Sequence, residues 1–252
     1  MRSMSSVFLC APVVQFFRAE SAGIGFYAMI LLATDTSGRD GSLALARVVT
    51  GRSEIEVLEV VPLAGGTFSA QLVPQIAGLL EAHGLRKSDL AGFAVVSGPG
   101  SFTGLRVGLA AIKALAEVLG KPLAAVSRLE SVARSGGVHS RVMAALDAGR
   151  GDVYAGDYQL VPEVRMNSER LLSREEFLVA ARGSLVITPE ASWAEAARAS
   201  GLRVEQIDYP RADAIARLGW EHIERGQTVT PGDLEANYIR RTDAEIFSKP
   251  KA

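Results

Sequence analysis

The stretch Ile30-Leu31-Leu32-Ala33-Thr34-Asp35-Thr36-Ser37-Gly38-Arg39-Asp40-Gly41-Ser42-Leu43-Ala44 is met again, in plan, at Val142-Met143-Ala144-Ala145-Leu146-Asp147-Ala148-Gly149-Arg150-Gly151-Asp152-Val153-Tyr154-Ala155-Gly156. Each is an apolar run ending in Asp, a turn of small residues containing glycine, and a returning run. A strand–acidic turn–strand unit placed once in each half of a chain predicts a duplicated domain whose copies face a common cleft.

Reading outward from the first copy, Ser42 to Val49 is the returning strand. Glu54 to Val61 alternates apolar and charged residues, the pattern of a third, half-buried strand. Ser69 to His83 carries Leu72, Ile76, Leu79 and Leu80 at helical spacing, with Gly84 suited to end the helix. Phe93-Ala94-Val95-Val96 reads as a short buried strand. It runs through a glycine-rich loop, Gly98 to Gly104, into a helix from Leu105 to Leu119 stopped by Gly120. Pro122 to Val126 predicts another strand and Leu129 to Arg134 the start of another helix. The order is β-β-β-α-β-α-β-α in an α/β chain. Beyond the second copy, helices are expected over Ser173–Arg182, Ser192–Ser200 and Ala212–Arg225, a strand over Ser184–Thr188, and loop from Pro231 to Ala252. The domain plan is an extension over residues 1–28, a first lobe over 29–130 and a second over 131–252.

Composition narrows the function classes. The chain has 252 residues, 48% hydrophobic and 22% charged, with a net charge of -1. A protein that grips nucleic acid unaided shows a basic face, because neutralising phosphates supplies most of the affinity. Acids and bases are mixed here without a basic run, so any RNA is expected to be held through another subunit. One cysteine, Cys10, allows neither a disulfide framework nor a thiolate metal site, which fits a cytoplasmic protein. The apolar runs Val7–Val14 and Ile24–Ala33 fall short of the roughly 20 residues that span a bilayer. No membrane role is expected, and residues 1–28 read as a mis-set start or an extension.

Three features bear on chemistry. Asp35 and Asp147 stand at matching strand ends beside tight turns, where turn amides can face phosphates and a carboxylate can orient Mg²⁺ or water. An Asp so placed also serves simply to accept bonds from its own turn, and spacing does not choose between the two. Gly98-Pro99-Gly100-Ser101-Phe102-Thr103-Gly104 is a strand-to-helix loop able to present amides to an anion, but it lacks the Lys-Ser/Thr ending of a Walker loop. It also departs from the G-x-S-x-G elbow. Small residues at Gly104 and Gly108, beside Leu105, Leu109 and Ile112, predict the close approach of a neighbouring helix, from this chain or from a partner. His83, His139 and His222 are scattered, with no second ligand at metal spacing.

Leu31 to Ser37, the string Gly98-Pro99-Gly100-Ser101-Phe102-Thr103-Gly104-Leu105-Arg106-Val107-Gly108, Leu146 to Tyr154, and the late Asn237-Tyr238-Ile239-Arg240-Arg241 together resemble the bacterial TsaB (YeaZ) family, over about residues 29–245. The resemblance implies an actin/Hsp70-like (ASKHA) fold of two ribonuclease-H-like domains. It also implies a part in threonylcarbamoylation of tRNA adenosine. It implies a catalytic TsaD-like subunit and a TsaE-like ATPase as partners, with tRNA met through the complex and a homodimer plausible for the chain alone. The metal-binding H-x-x-x-H of TsaD-like chains falls on Arg128 and Val132, a permanent cation and a side chain with no donor. Catalysis and a cofactor are therefore not expected. Asp35, Thr36, Ser37, Gly98, Gly100, Ser101, Thr103, Asp147 and Gly149 become remnants of phosphate loops. Leu72, Ile76, Leu79, Gly104, Leu105, Gly108, Leu109 and Ile112 are expected to form the partner face. Phe68 stands where TsaB-like chains often carry His. The competing reading is an ATP-dependent transferase or kinase acting alone through Asp35 and Asp147. A peptidase ranks below it for want of a metal pair or nucleophile set.

Overall fold

The computed structural model describes residues 28–49, 55–137 and 139–240. The extension expected over residues 1–28 lies almost wholly outside the described residues, as does the tail from 241 to 252. The first repeat contains β1 (Ala28–Asp35), β2 (Gly41–Val49), β3 (Ile55–Leu63), α1 (Phe68–Ala82), β4 (Leu90–Gly98), α2 (Phe102–Leu119), β5 (Leu123–Ser127) and α3 (Arg128–Ser135). The second contains β6 (Arg141–Gly149), β7 (Asp152–Gln159), β8 (Arg165–Ser173), α4 (Arg174–Ala180), β9 (Leu185–Thr188), α5 (Ala191–Ala199), β10 (Arg203–Gln206) and α6 (Ala212–Glu224). The two lists are the same list. The sheets agree as well: β3-β2-β1-β4-β5 in one and β8-β7-β6-β9-β10 in the other, each with two antiparallel pairs followed by two parallel ones. This is the ribonuclease-H-like sheet, duplicated as in the actin-like fold.

Strand β1 is buried along nearly its whole length because helices cover both faces of its sheet, and its unbroken apolar run follows from that. Two strands, β8 and β10, have no counterpart in the sequence pattern. Arg165-Met166-Asn167-Ser168-Glu169-Arg170-Leu171-Leu172-Ser173 lies at a sheet edge where only Leu172 is buried, so no alternation marks it. It is made a strand by its antiparallel ladder with β7, from Asp152 opposite Ser173 to Gln159 opposite Arg165. β10 is four residues long.

The third helix of each repeat packs on the sheet of the other. α3 places Leu129, Val132 and Ala133 against Val142, Ala144, Leu146 and Tyr158 of the second sheet. α6 returns Ala212, Ile215, Ala216, Leu218 and Trp220 to the core of the first sheet. Each buried Leu or Ile of this kind contributes about 1.5–3 kcal/mol, and here that energy binds one lobe to the other's chain. Hydrogen bonds follow the same path. The Ala212 N–H donates to Ser42 Oγ at 2.9 Å, and Arg217 Nη1 donates to the Ile55 carbonyl at 3.2 Å. The chain thus divides near residue 130 in sequence but re-enters the first lobe at Ala212. No helix among the described residues is long and apolar enough to cross a membrane.

Two glycines give opposite expectations. A Cβ at Gly219 on α6 would stand 2.2 Å from the Cβ of Ala94 on β4, so Gly219→Val should destabilise the chain by about 1–3 kcal/mol through overpacking. Gly78 lies on the exposed side of α1 with nothing within 4 Å, and Gly78→Ala should stabilise by about 0.5–1 kcal/mol. Urea unfolding of the two variants beside the parent checks both signs.

The contact between α3 and α6 also predicts a pH dependence. His222 lies 3.3 Å from Glu130 across that contact, and the hydrogen bond to Glu130 holds its pKa above the ordinary 6.5. The stabilisation is therefore complete below pH 6.5 and lost as pH rises through the higher folded value. Thermal midpoints should fall from pH 6 toward pH 8, and His222→Gln should flatten that slope.

Candidate functional site

The two matching aspartates open onto one cleft of about 620 Å³ between the lobes, lined by Asp35, Arg39, Asp40, Arg128, Asp147, Glu190, Tyr209 and Arg211 among others. They do so because β1 and β6 occupy equivalent positions in the two sheets and end on the same side. The aspartates differ in state. Asp35 is buried (6% exposed), and its Oδ1 accepts from both the N–H and the Oγ of Ser37, at 2.8 and 2.6 Å. Asp147 is exposed at the cleft edge, and its Oδ1 accepts from the indole N–H of Trp193 at 3.1 Å. Its own N–H donates to Glu190 Oε1 at 3.4 Å.

The loop expected to cradle a phosphate is already filled by this chain. The Ser101 N–H donates to the Ser37 carbonyl at 2.7 Å, and the Ser101 side chain caps α2 by accepting from Gly104 N–H at 3.3 Å. A Cβ at Gly100 would stand 2.3 Å from the Ser37 carbonyl, and one at Gly104 2.1 Å from the Thr36 carbonyl. Thr36 Oγ1 donates to the Gly104 carbonyl at 2.7 Å and lies where a Cβ of Gly108 would be, at 2.3 Å. Thr103 faces outward beside a smaller cavity of about 330 Å³ with Arg39, Phe68 and Ser69. Gly149 closes the β6–β7 turn with a positive φ of 72°, and its carbonyl accepts from Arg240 at 3.3 Å.

A metal-bound nucleotide, which the fold class implies, does not fit these groups well. One oxygen of each aspartate is engaged, the Ser101 amide is taken, and the guanidinium of Arg128 lines the same cleft. That guanidinium presses on Gly38, where a Cβ would stand 2.9 Å from Nη2. A fixed cation there repels a metal ion. Val132, at the other expected ligand position, is fully buried in the second lobe. Among the described residues, no group of three His, Cys, Asp or Glu side chains is placed to hold a metal.

The structure corrects the expected partner face. Leu72, Ile76, Leu79, Leu105, Leu109 and Ile112 are buried in the first lobe's own core, and Gly104 and Gly108 seat Thr36 of the same chain. The open side of these helices is made by other residues. α1 carries no charge before Glu81, although Ser69, Ala70, Val73, Pro74, Gln75, Ala77 and Gly78 are exposed, and Val73 is 61% exposed. On α2 the exposed Ala110, Ala114 and Val118 continue this surface, Val118 at 78%. Phe68, in place of the frequent His, is buried against Gly41 and Gly104.

Cleft residues outside the repeat were not legible beforehand. Glu190, Tyr209 and Arg211 lie in connecting segments with no periodic signal. Burial and a hydrogen bond to Glu190 push the Tyr209 hydroxyl up to about 12, so it remains a donor at neutral pH. Its Pro-Arg continuation into α6 was the available hint. The three histidines each face a carboxylate: His83 with Glu59 at 2.8 Å, His139 with Glu205 at 3.5 Å, and His222 with Glu130.

Comparison with known proteins agrees with this architecture. The family model for TsaD, tRNA N6-adenosine threonylcarbamoyltransferase, matches residues 60–214, more than half of the chain. The tRNA threonylcarbamoyladenosine biosynthesis protein TsaB of Bacillus subtilis is 35% identical over 132 residues, which cover 52% of this chain and 56% of that one. This chain's match thus spans little more than half of that relative. The protein of the same name from Escherichia coli is 28% identical over 237 residues, 86% of this chain and 96% of that one. The solved structure of YeaZ from Pseudomonas aeruginosa superposes with a TM-score of 0.67 at 28% identity, over 83% of this chain and 99% of that one. With its duplicated lobes, its glycine loop and these matches, the chain belongs to the TsaB (YeaZ) family of TsaD-related proteins.

Proposed function

We propose that this chain is a subunit without catalysis of its own in the assembly that makes N6-threonylcarbamoyladenosine in tRNA, and that it supports a TsaD-like catalytic subunit and a TsaE-like ATPase. The names of its relatives supply the pathway. The observation that carries the subunit reading is the uncharged open side of α1. A helix exposed for over three turns without a charged residue before Glu81 is a surface that water solvates poorly and another apolar surface covers well. A standard patch of roughly 800 Å² per partner suffices for a specific complex. In the absence of the partner, a second copy of the chain can cover the same surface, giving a homodimer. The engaged aspartates and the cation in the cleft support a role other than turnover. Tight association with tRNA is left to the complex, in keeping with the net charge of -1.

Co-expression with the TsaD-like protein of the same organism tests the surface. The parent chain should co-purify with it, and Val73→Glu combined with Val118→Glu should abolish co-purification while the variant remains folded. Leu109→Glu, by contrast, places a charge in the core and should unfold the chain by several kcal/mol, seen as loss of the circular-dichroism transition. An intact complex with the double variant would show that this surface is not the interface. A fully active TsaD-like partner that never binds the chain would remove the proposed role.

The alternative, an ATP-dependent transferase or kinase, is separated by titration with Mg-ATP. The expected result is no turnover by the chain alone, with Asp35→Asn leaving the background unchanged. Turnover abolished by Asp35→Asn would establish the enzyme instead.

A further inference from the structure

The chain passes between the lobes at Ser127–Arg128, again in the segment 207–211 before α6, and a third time after Leu234. The third passage is stitched to both sides. Leu234 is buried in the first lobe's core, and Lys113 Nζ on α2 donates to its carbonyl at 3.1 Å. The Asn237 N–H donates to the Ser97 carbonyl at 2.7 Å. Its backbone lies so close to Gly98, which has a φ of 134°, that a Cβ there would stand 2.6 Å from the Asn237 carbonyl. From this anchor on the first lobe, Asn237 Nδ2 reaches Glu169 Oε2 on β8 of the second lobe at 2.8 Å. Tyr238 turns back to the first lobe, its ring 5.1 Å from that of Phe102 and its hydroxyl accepting from Arg106 Nε at 3.2 Å. Arg240 then donates to Asp152 Oδ2 at 2.6 Å and to the Gly149 carbonyl on the β6–β7 turn of the second lobe.

Glu169 links this passage to the first one. Besides Asn237, its carboxylate accepts from the Tyr158 hydroxyl and from Ser127 Oγ, and Ser127 is the residue at which the chain first leaves the first sheet. One carboxylate on the second lobe is thus held by Ser127 of the first crossing, by Asn237 of the third, and by Tyr158 of its own lobe.

We propose that residues 237–240 form an interlobe clasp that sets how far the cleft opens. The two sheets are linked by the packing of α3 and α6 and by the passages of the chain, and such lobes can still rotate about their connections, as hinged domains do. A segment that contacts both lobes within four residues ties opening of the cleft to the loss of directional bonds. The Arg240–Asp152 pair is charge-assisted and partly shielded, with 25% and 36% of the two side chains exposed, so it resists screening better than a free surface pair. The clasp holds the Asp147–Asp152 turn against the glycine loop and keeps the cleft at one width.

Pulsed dipolar spectroscopy tests this, with spin labels on cysteines replacing the exposed Ala77 of α1 and Val179 of α4, in a Cys10→Ser background of the full chain. The parent should give one narrow distance distribution. Arg240→Asp should broaden it and shift it to longer distances, and adding Asp152→Arg should restore the narrow peak, which a merely structural role for Arg240 would not produce. Tyr238→Ala should broaden it in the same direction. Unchanged distributions in folded Arg240→Asp and Tyr238→Ala proteins would overturn the clasp, as would a broad distribution that Asp152→Arg fails to narrow. Should Arg240→Asp not fold, Arg240→Gln serves as the reading variant: broadening in the folded protein supports the clasp and an unchanged distribution overturns it.

Discussion

Thr36 and Ser37 sit directly on the first turns of α2, with no side chain between the two backbones. The closeness is set by Gly100, Gly104 and Gly108, none of which could carry even a methyl group without displacing Thr36 or Ser37. Much else follows from that contact. It fixes where β1 ends relative to β4, hence where Asp35 points, and it fills the loop that in other settings receives a phosphate. The hydroxyl of Thr36 and the amide of Ser101 find their partners inside the chain. A buried Asp35 is tolerable because Ser37 donates to it twice, so that one of its oxygens is satisfied within the chain.

That contact also explains which parts of the fold were legible in the sequence. The central strands were readable because Ile30 to Thr34 and Val142 to Leu146 are covered on both faces, and full burial leaves an unbroken apolar run. The duplication was readable for the same reason. β8 was not, because an edge strand gains its conformation from the ladder beside it and its exposed side chains need no pattern. Helical periodicity identified the apolar stripes of α1 and α2 but could not say what they face. Leucines at such spacing cover a sheet of their own lobe here, and the side of α1 left open is marked instead by the absence of charge before Glu81. The glycines at 104 and 108 announced a close neighbour, and the helix expected there is instead the loop after β1, which brings Thr36 onto α2.

The exchange of α3 and α6 lies further from anything the sequence states. An amphipathic helix needs an apolar sheet, and two equivalent sheets were on offer. The choice is made by the connections. β5 ends at Ser127, whose hydroxyl caps α3 through Leu129 and Glu130 and donates to Glu169 of the other lobe, so the helix starts already directed across the gap. The return of α6 is fixed by Gly219, which lets its backbone settle onto Ala94, and by the bond from Ala212 to Ser42. Each lobe therefore needs the other's chain to complete its core.

This interdependence bears on how the two lobes can move. Cores that share helices move as bodies about a few joints, so a constraint at the joints determines the shape of every surface that spans them. α2 takes part in two such arrangements at once. Its later turns carry Ala110, Ala114 and Val118 to the open side, while Phe102 and Arg106 in its first turns hold Tyr238, and Lys113 holds the carbonyl of Leu234. A rigid helix of 18 residues cannot tilt at one end without moving the other. The open side of α2 and the residues that hold the tail thus lie on one continuous element.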